Sequence, residues 1–359
     1  MKYIDEYRKK ELILSVSEKL KEVSTKEITL MEVCGGHTMA IHRFGLSALL
    51  PANIRLISGP GCPVCVSSQH FIDTAMAYSK LPGVITTTYG DLIRVPGSLT
   101  SLEKERANGS DIRIVYSVLE SLEIAKSNPE KHVIFLGIGF ETTAPLTAAA
   151  ILQAQKENIP NFSVLSAHKV MPPVMKALVA EGVKIDGFIA PGHVTAITGT
   201  GIYDELAAVL GLGVVVAGFE PLDMMQAVLM LSLQLEAGTP SVEVQYQRVV
   251  HREGNPLARQ VLEDVFELRD DRWRGLGIIP ASGLKIRESL ADFDAEKRFH
   301  VEVPESTEPK GCICGLILRG LKTPEDCGLF AKKCTPSEPV GACMVSGEGT
   351  CATYYKYRS

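Results

Sequence analysis

Three cysteines in the first part of the chain have a spacing suited to metal binding or redox chemistry. Cys34 stands in "EVCGGHT" directly after an apolar run, and Cys62 and Cys65 form the C-x-x-C of "GPGCPVC". Thiolates are soft metal ligands, and this spacing permits a dithiol–disulfide couple or half of a zinc site. His37 could act beside Cys34 as a second ligand, a proton shuttle or an orienting donor. The alternative is a tight turn with a buried thiol and a helix-capping histidine.

The remaining six cysteines lie between positions 312 and 351, separated by gaps of 1, 12, 6, 8 and 7 residues. These gaps match neither the paired C-x-x-C knuckles of zinc ribbons nor the C-x-x-C-x-x-C run of ferredoxins. Six thiols exceed the needs of one tetrahedral metal. Four ligands for an iron–sulfur cluster plus two for a nearby redox pair fit the count, and one structural zinc with two spare thiols is the alternative.

Composition restricts the classes of protein that remain. The chain has 359 residues, a net charge of −5 and no Lys/Arg-rich run, so the electrostatic pattern of nucleic-acid binding is missing. The charged N-terminus has no signal-peptide pattern, and no apolar run is long enough to span a membrane. We therefore expect a cytoplasmic protein, where an odd number of cysteines favours metal or redox use over disulfides.

The elements that must position these residues follow an alternating α/β pattern. An amphipathic helix is predicted over residues 2–24, and the later spacing leaves room for a helix between most neighbouring strands, which is typical of parallel sheets. The ends of adjacent parallel strands would bring Cys34 and the C-x-x-C pair to one rim. The predicted strands cover residues 28–34, 54–58, 84–89, 112–117, 132–140, 162–168, 187–193 and 214–219.

The eight strands are predicted to form two related parallel-sheet α/β domains of four strands each. An internal echo supports this, because "GHTMAIHRFG" and "GHVTAITGTG" share Gly-His-x-x-Ala-Ile-x-x-x-Gly after a strand. A shared strand-to-helix turn or chance is the alternative. Beyond them we expect a C-terminal iron–sulfur domain with an edge strand after residue 240, a helix in "PLARQVLEDVFEL" and a loop-rich tail. The predicted domains are residues 1–125, 126–240 and 241–359.

Polar residues at other strand ends are candidates for the same site. Glu141 in "GFETTAP" is either a catalytic carboxylate or a helix N-terminal cap together with Thr142 and Thr143. His168 and His193 also end predicted strands. Either histidine could line a cleft between the two domains, although a hydrogen-bonded core histidine is the more common outcome.

The motifs "CGGHT", "GPGCPVC", "GFETTAP", "PGHV" and "CTPSEPVGACMVSGEGTCATYYKY", in this order, closely resemble those of the HypD family of iron–sulfur hydrogenase maturation factors. The resemblance implies an assembly scaffold that works with the small chaperone HypC. Such proteins hold iron between a cysteine of each partner and receive cyanide from HypE. They build the Fe(CN)2CO group of [NiFe]-hydrogenase, whose large subunit is an indirect partner.

Roles carried over from this resemblance are expectations. Cys34 would bind the iron ion that carries the CN and CO ligands, with His37 beside it, and Cys62 and Cys65 would exchange electrons at the same metal site. The residues expected to line this cleft are Glu141, Thr142, Thr143 and His193. The resemblance implies a [4Fe-4S] cluster in the tail, which we assign to Cys312, Cys327, Cys334 and Cys351, with Cys314 and Cys343 as the redox pair. The spacing alone permits other choices of four from six.

Two other functions use parts of the same pattern. An iron–sulfur-dependent thiol/disulfide oxidoreductase would use Cys62 and Cys65 but would leave the "CGGHT" motif without a role. A zinc-stapled α/β binding module would explain only the cysteine-rich tail.

Overall fold

The computed structural model describes residues 2, 4–303 and 305–357. It is a mixed α/β structure with two parallel sheets and one antiparallel hairpin. The strands are β1 (Ile28–Glu32), β2 (Ile54–Ser58), β3 (Val84–Thr88), β4 (Ile112–Ile114), β5 (His132–Gly139), β6 (Phe162–His168), β7 (Gly187–Pro191), β8 (Gly213–Ala217), β9 (Val242–Val244), β10 (Phe266–Trp273) and β11 (Gly277–Ile286).

Helices connect and cover these strands, and the predicted N-terminal helix is a single 3-10 turn at Asp5–Arg8 followed by α1. The α-helices are α1 (Lys10–Val23), α2 (Gly35–Arg43), α3 (Pro63–Val66), α4 (Gln69–Ser79), α5 (Leu102–Ala107), α6 (Val118–Ser127), α7 (Ala144–Lys156), α8 (Met171–Ala180), α9 (Gly192–Thr198), α10 (Asp204–Ala208), α11 (Pro221–Ala237), α12 (Pro256–Val265), α13 (Ala295–Arg298), α14 (Cys314–Leu318) and α15 (Thr350–Lys356). No helix among the described residues has the length and apolar character that a membrane crossing requires.

The two parallel sheets interleave along the chain. One sheet has the order β2-β1-β7-β8-β9 and the other β4-β3-β5-β6, so the chain leaves the first sheet after two strands and returns after four more. This order differs from the predicted four strands followed by four. Sheet membership also crosses the predicted limits at residues 125 and 240, because each sheet takes strands from both sides of residue 125 and β9 pairs with β8.

The internal echo has a local explanation. Its two copies begin α2 and α9, which follow β1 and β7, and these strands are neighbours in the same sheet. The shared pattern therefore marks two similar strand-to-helix turns side by side, instead of one turn in each of two related domains. Both turns lie at the carboxyl edge of the sheet, where open α/β sheets bind ligands.

Burial on both faces explains why most strands are continuous apolar runs in the sequence. All residues of β3, β6, β7 and β8 are buried, as expected for parallel strands covered on both faces. The predicted edge strand after residue 240 is short, because only the three residues of β9 form it. The predicted helix after it ends at Val265, and β10 begins at the next residue.

The antiparallel hairpin of β10 and β11 connects the second sheet to the cysteine-rich segment. Its β11 strand lies against the end of β6, where Val170 N–H donates to Ser282 O at 3.0 Å. Its turn reaches the segment 311–357, because Gly275 packs on Gly315 so closely that a Cβ there would lie 2.3 Å from the Gly315 Cα. The six late cysteines lie in this segment, where Cys314, Cys343 and Cys351 belong to short helices and the other three lie in loops.

Candidate functional site

The "CGGHT" and "GPGCPVC" motifs meet at one rim of the first sheet. β1 and β2 pair in parallel with Glu32 opposite Ser58, so the two motifs leave neighbouring strands at the same level. A Cβ at Gly61 would lie 2.2 Å from the Cys34 backbone nitrogen, which only glycine avoids at this position. The strand pattern predicts this proximity, and the glycine before Cys62 makes it possible.

Cys34 is the N-cap residue of helix α2, and it lines a pocket of about 390 Å³. His193, Phe219 and Glu348 line this pocket together with Cys34, and Arg43 extends it along α2. Burial raises the pKa of the Cys34 thiol, and the nearby Glu348 carboxylate adds to this effect. A cation that binds the thiolate would offset this cost of ionisation, and its binding would release the thiol proton.

Both histidines of the site contact the ring of Phe219. His37 is fully buried and stacks on the phenyl ring at a centroid distance of 4.8 Å, and His193 lies 5.2 Å from the same ring. His37 ring nitrogens make no hydrogen bond of normal geometry, and the backbone of Ala217 and Gly218 faces them. Burial lowers the pKa of His37 to about 3, so its ring is neutral near pH 7.

The "GFETTAP" residues do not line the Cys34 pocket. Glu141 is buried and accepts the Met171 N–H at 2.9 Å, so it caps helix α8 instead of the helix that follows it in sequence. Thr143 donates to the carbonyls of Ile138 and Phe140. Thr142 is half-buried. Of the four residues expected in the cleft, His193 alone is among those that line the pocket.

The Glu141 carboxyl gives the protein a pH-dependent stability. Burial raises the pKa of Glu141 to about 7, and its Oε2 atom is buried without a partner. In the unfolded chain a glutamate ionises near pH 4.3, so the stabilisation is complete below that pH and is lost as the pH rises to about 7. We expect a loss of up to about 3 kcal/mol in the free energy of unfolding from this group.

The matched variant is Glu141→Gln, which keeps an oxygen for the Met171 N–H and cannot ionise. Urea unfolding midpoints at pH 5 and pH 8 should differ less in the variant than in the unsubstituted protein. Equal differences in both proteins would mean that Glu141 ionises without cost in the folded state.

A line of thiols leads from the C-x-x-C motif into the cysteine-rich segment. Cys62 is the N-cap of α3, and its Sγ accepts the Cys65 N–H at 3.3 Å. The Cys65 and Cys343 thiols lie within hydrogen-bonding reach, and the Cys343 and Cys314 sulfurs are 2.7 Å apart. Burial raises the pKa of Cys65. The predicted redox pair is therefore beside the C-x-x-C motif, and Cys312 continues the line beyond Cys314.

The four other late cysteines lie near this pair. Cys327 Sγ lies 4.0 Å from the Gly311 carbonyl, next to Cys312, and Cys334 Sγ accepts the Val340 N–H at 3.3 Å. Cys351 interacts electrostatically with Cys334 and is within hydrogen-bonding reach of Cys343.

These residues fit a thiolate-ligated cluster. A Cβ at Gly341 would lie 2.7 Å from Cys312 Sγ, so glycine alone leaves this sulfur its place. Backbone N–H groups aimed at sulfur are a usual feature of such sites. Among the described residues no three His, Cys, Asp or Glu side chains converge on one metal ion. Four cysteines in one short segment are a donor set that a [4Fe-4S] cluster takes, and a structural zinc ion takes the same set.

Several residues of the site escape sequence reasoning. Glu32 is buried in β1, where it accepts the Cys34 N–H at 3.2 Å and the Thr38 hydroxyl, and a charged residue inside an apolar strand was the available signal. Glu348 reaches the pocket from the tail, and a Cβ at Gly35 would lie 2.4 Å from its carbonyl oxygen. Phe219 had no signal, because an aromatic residue after a strand is usually part of the core.

Comparison with known proteins supports the resemblance found in the sequence motifs, and it does so along nearly the whole chain. The family model HypD, described as the hydrogenase formation hypA family, matches residues 9–358. The chain is 48% identical to hydrogenase maturation factor HypD2 of Bradyrhizobium diazoefficiens over 99% of this chain and 97% of that protein. It is 47% identical to hydrogenase maturation factor HypD of Azotobacter vinelandii and 46% identical to that of Cupriavidus necator, with the same coverage. The chain belongs to the HypD family of hydrogenase maturation factors.

Proposed function

We propose that this hydrogenase maturation factor is the scaffold on which the Fe(CN)2CO group is assembled. The observation that carries the proposal is the line of contacts from the Cys34 rim through Cys65 and Cys343 to Cys314. It links a single thiol facing an open pocket with a dithiol and a second thiol pair. Such an arrangement suits a metal that must be held and supplied with electrons in one place.

Cys34 would hold the iron substrate through its thiolate. The described residues contain no group of three His, Cys, Asp or Glu side chains that could hold a metal ion, and the proposal takes the further ligands from outside the chain. These ligands would be a cysteine of the small chaperone HypC and the cyanide delivered through HypE. The pocket beside Cys34 is open to solvent and offers the chaperone a route to the metal. Thiolate, cyanide and carbon monoxide together favour low-spin iron.

Cys62 and Cys65 would supply electrons at the rim. When a dithiol closes to a disulfide it releases two electrons and two protons, and the Cys65–Cys343 contact gives a route to recover them. The [4Fe-4S] cluster would be held by Cys312, Cys327, Cys334 and Cys351, where it would supply one-electron chemistry. Free thiols at all nine cysteines suit a reducing compartment, and we place the protein in the cytoplasm.

The thiol/disulfide oxidoreductase remains the second candidate, since the contacts between Cys65, Cys343 and Cys314 would serve it equally well. It assigns no role to the Cys34 pocket. The scaffold accounts for both features and is preferred for that reason.

Anaerobically purified protein, alone and co-expressed with its chaperone, tests the proposal by iron and acid-labile sulfide analysis and Mössbauer spectroscopy. We expect a four-iron cluster in the lone protein. In the complex we expect an additional low-spin iron with infrared bands of cyanide and carbon monoxide. Zinc without labile sulfide would support the binding module, and a cluster without added iron in the complex would support the oxidoreductase.

A further inference from the structure

Arg274 is a buried cation where the β10–β11 hairpin meets the C-x-x-C motif and the cysteine-rich segment. It lies in the turn between β10 and β11, and it is 2% exposed. Its backbone N–H donates to Val66 O at 3.0 Å, one residue after the C-x-x-C motif. The adjacent Gly275 packs on Gly315, one residue after Cys314. The arginine therefore lies beside the segments that carry both thiol pairs.

Two of the three groups that the Arg274 guanidinium contacts are neutral. Its Nε donates to Ser67 O at 2.9 Å and its Nη1 to Gln69 Oε1 at 2.6 Å. The nearest carboxylate, Glu308, is 3.4 Å away on a half-exposed side chain, where water screens its charge. Nη2 is buried without a hydrogen bond. A buried cation in this state needs negative charge nearby, or it destabilises the fold.

The cysteine-rich segment is where that negative charge would form. The contact of Gly275 with Gly315 brings Arg274 to the segment that carries Cys312 and Cys314, and its Nη1 lies 3.4 Å from Glu308, four residues before Cys312. A cluster with four thiolate ligands carries net negative charge, and it gains one further negative charge when it takes up an electron. A fixed cation beside it stabilises the reduced form more than the oxidised form.

We propose that Arg274 is a positioning residue that raises the reduction potential of the [4Fe-4S] cluster by placing a buried positive charge beside its ligands. The proposal rests on the function proposed above. The electron comes from a low-potential one-electron donor, and the cluster takes it up without a change in its ligands. The hydrogen bonds from Arg274 to Ser67 and Gln69 fix the position of the guanidinium charge. They also hold the β10–β11 hairpin against the segment that follows helix α3.

The test is a redox titration of the purified cluster protein with dithionite, followed by EPR spectroscopy. In Arg274→Gln the equilibrium with the same donor should shift about tenfold toward the oxidised cluster, which is about 59 mV for a one-electron couple. Arg274→Lys, which keeps the charge and loses the planar fork, should titrate close to the unsubstituted protein. Arg272→Gln is the matched control, because Arg272 is exposed on the same hairpin.

Each outcome decides the proposal. A potential in Arg274→Gln that equals the Arg272→Gln value overturns it, and so does a higher potential, which would indicate water entry instead of lost charge. An equal shift in Arg274→Lys and Arg274→Gln would assign the effect to hydrogen-bond geometry and overturn the electrostatic role. If the unsubstituted protein holds no labile sulfide, the function proposed above fails together with this inference. Thermal unfolding of each variant verifies that the fold is retained.

Discussion

Replacing Cys34 with alanine should abolish hydrogenase maturation while leaving the cysteine-rich segment intact. Cys34 is the thiol that faces the pocket, and no other described Cys, His, Asp or Glu joins it in a set that could hold the iron in its place. Its side chain makes no capping hydrogen bond at the start of α2, so alanine removes one buried sulfur and little else. The cost in folding stability should be about 1–2 kcal/mol.

The measurement is hydrogenase activity in a strain whose own copy is deleted and replaced by each variant. Cys34→Ala should give the background activity of the deletion strain, and its labile sulfide content should match that of the unsubstituted protein. Ile41→Val is the control, because Ile41 is buried on the same helix and loses one methylene at a similar cost in stability. Normal hydrogenase from the Cys34→Ala strain would refute the scaffold mechanism.

Local pattern predicted most strands and the meeting of the two early motifs, but it did not predict which strands pair. Each strand from β1 to β8 is a short apolar run with recognisable ends, and neighbouring strand ends bring Cys34 and Gly61 together. Pairing depends instead on contacts between distant segments. The crossing of the chain from β2 to β3, and its return from β6 to β7, leaves no periodic signal in the sequence.

The same limit explains which site residues were missed or misplaced. Glu141 follows a strand as expected, yet it caps α8, an element 30 residues farther along the chain. Arg274 reaches the site from the hairpin and Glu348 reaches it from the tail. Their partners there, Ser67 and Cys34, lie more than 200 positions earlier in the chain. Residues whose role depends on such tertiary contacts carry no local motif, whereas cysteine spacing does.

Replacing Cys62 with serine should block maturation without unfolding the loop or preventing the complex with the chaperone. Cys62 is the N-cap of α3 and accepts the Cys65 N–H through its sulfur. Serine is a strong N-cap, so the variant keeps this hydrogen bond and loses only the redox-active thiol. A hydroxyl cannot form a disulfide with Cys65, and the two electrons of that pair are no longer available. We expect hydrogenase activity at the level of the deletion strain.

Comparing Cys62→Ser with Cys62→Ala separates thiol chemistry from loop structure. Alanine removes both the thiol and the N-cap, which adds a stability loss of about 1 kcal/mol. If the thiol carries the function, both variants are inactive and both still co-purify with the chaperone. If the loop serves mainly as a docking element, Cys62→Ser retains activity while Cys62→Ala loses the complex. Since the Cys65 thiol reaches Cys343, Cys65→Ser should match Cys62→Ser in activity and should also slow oxidation of the Cys314–Cys343 pair.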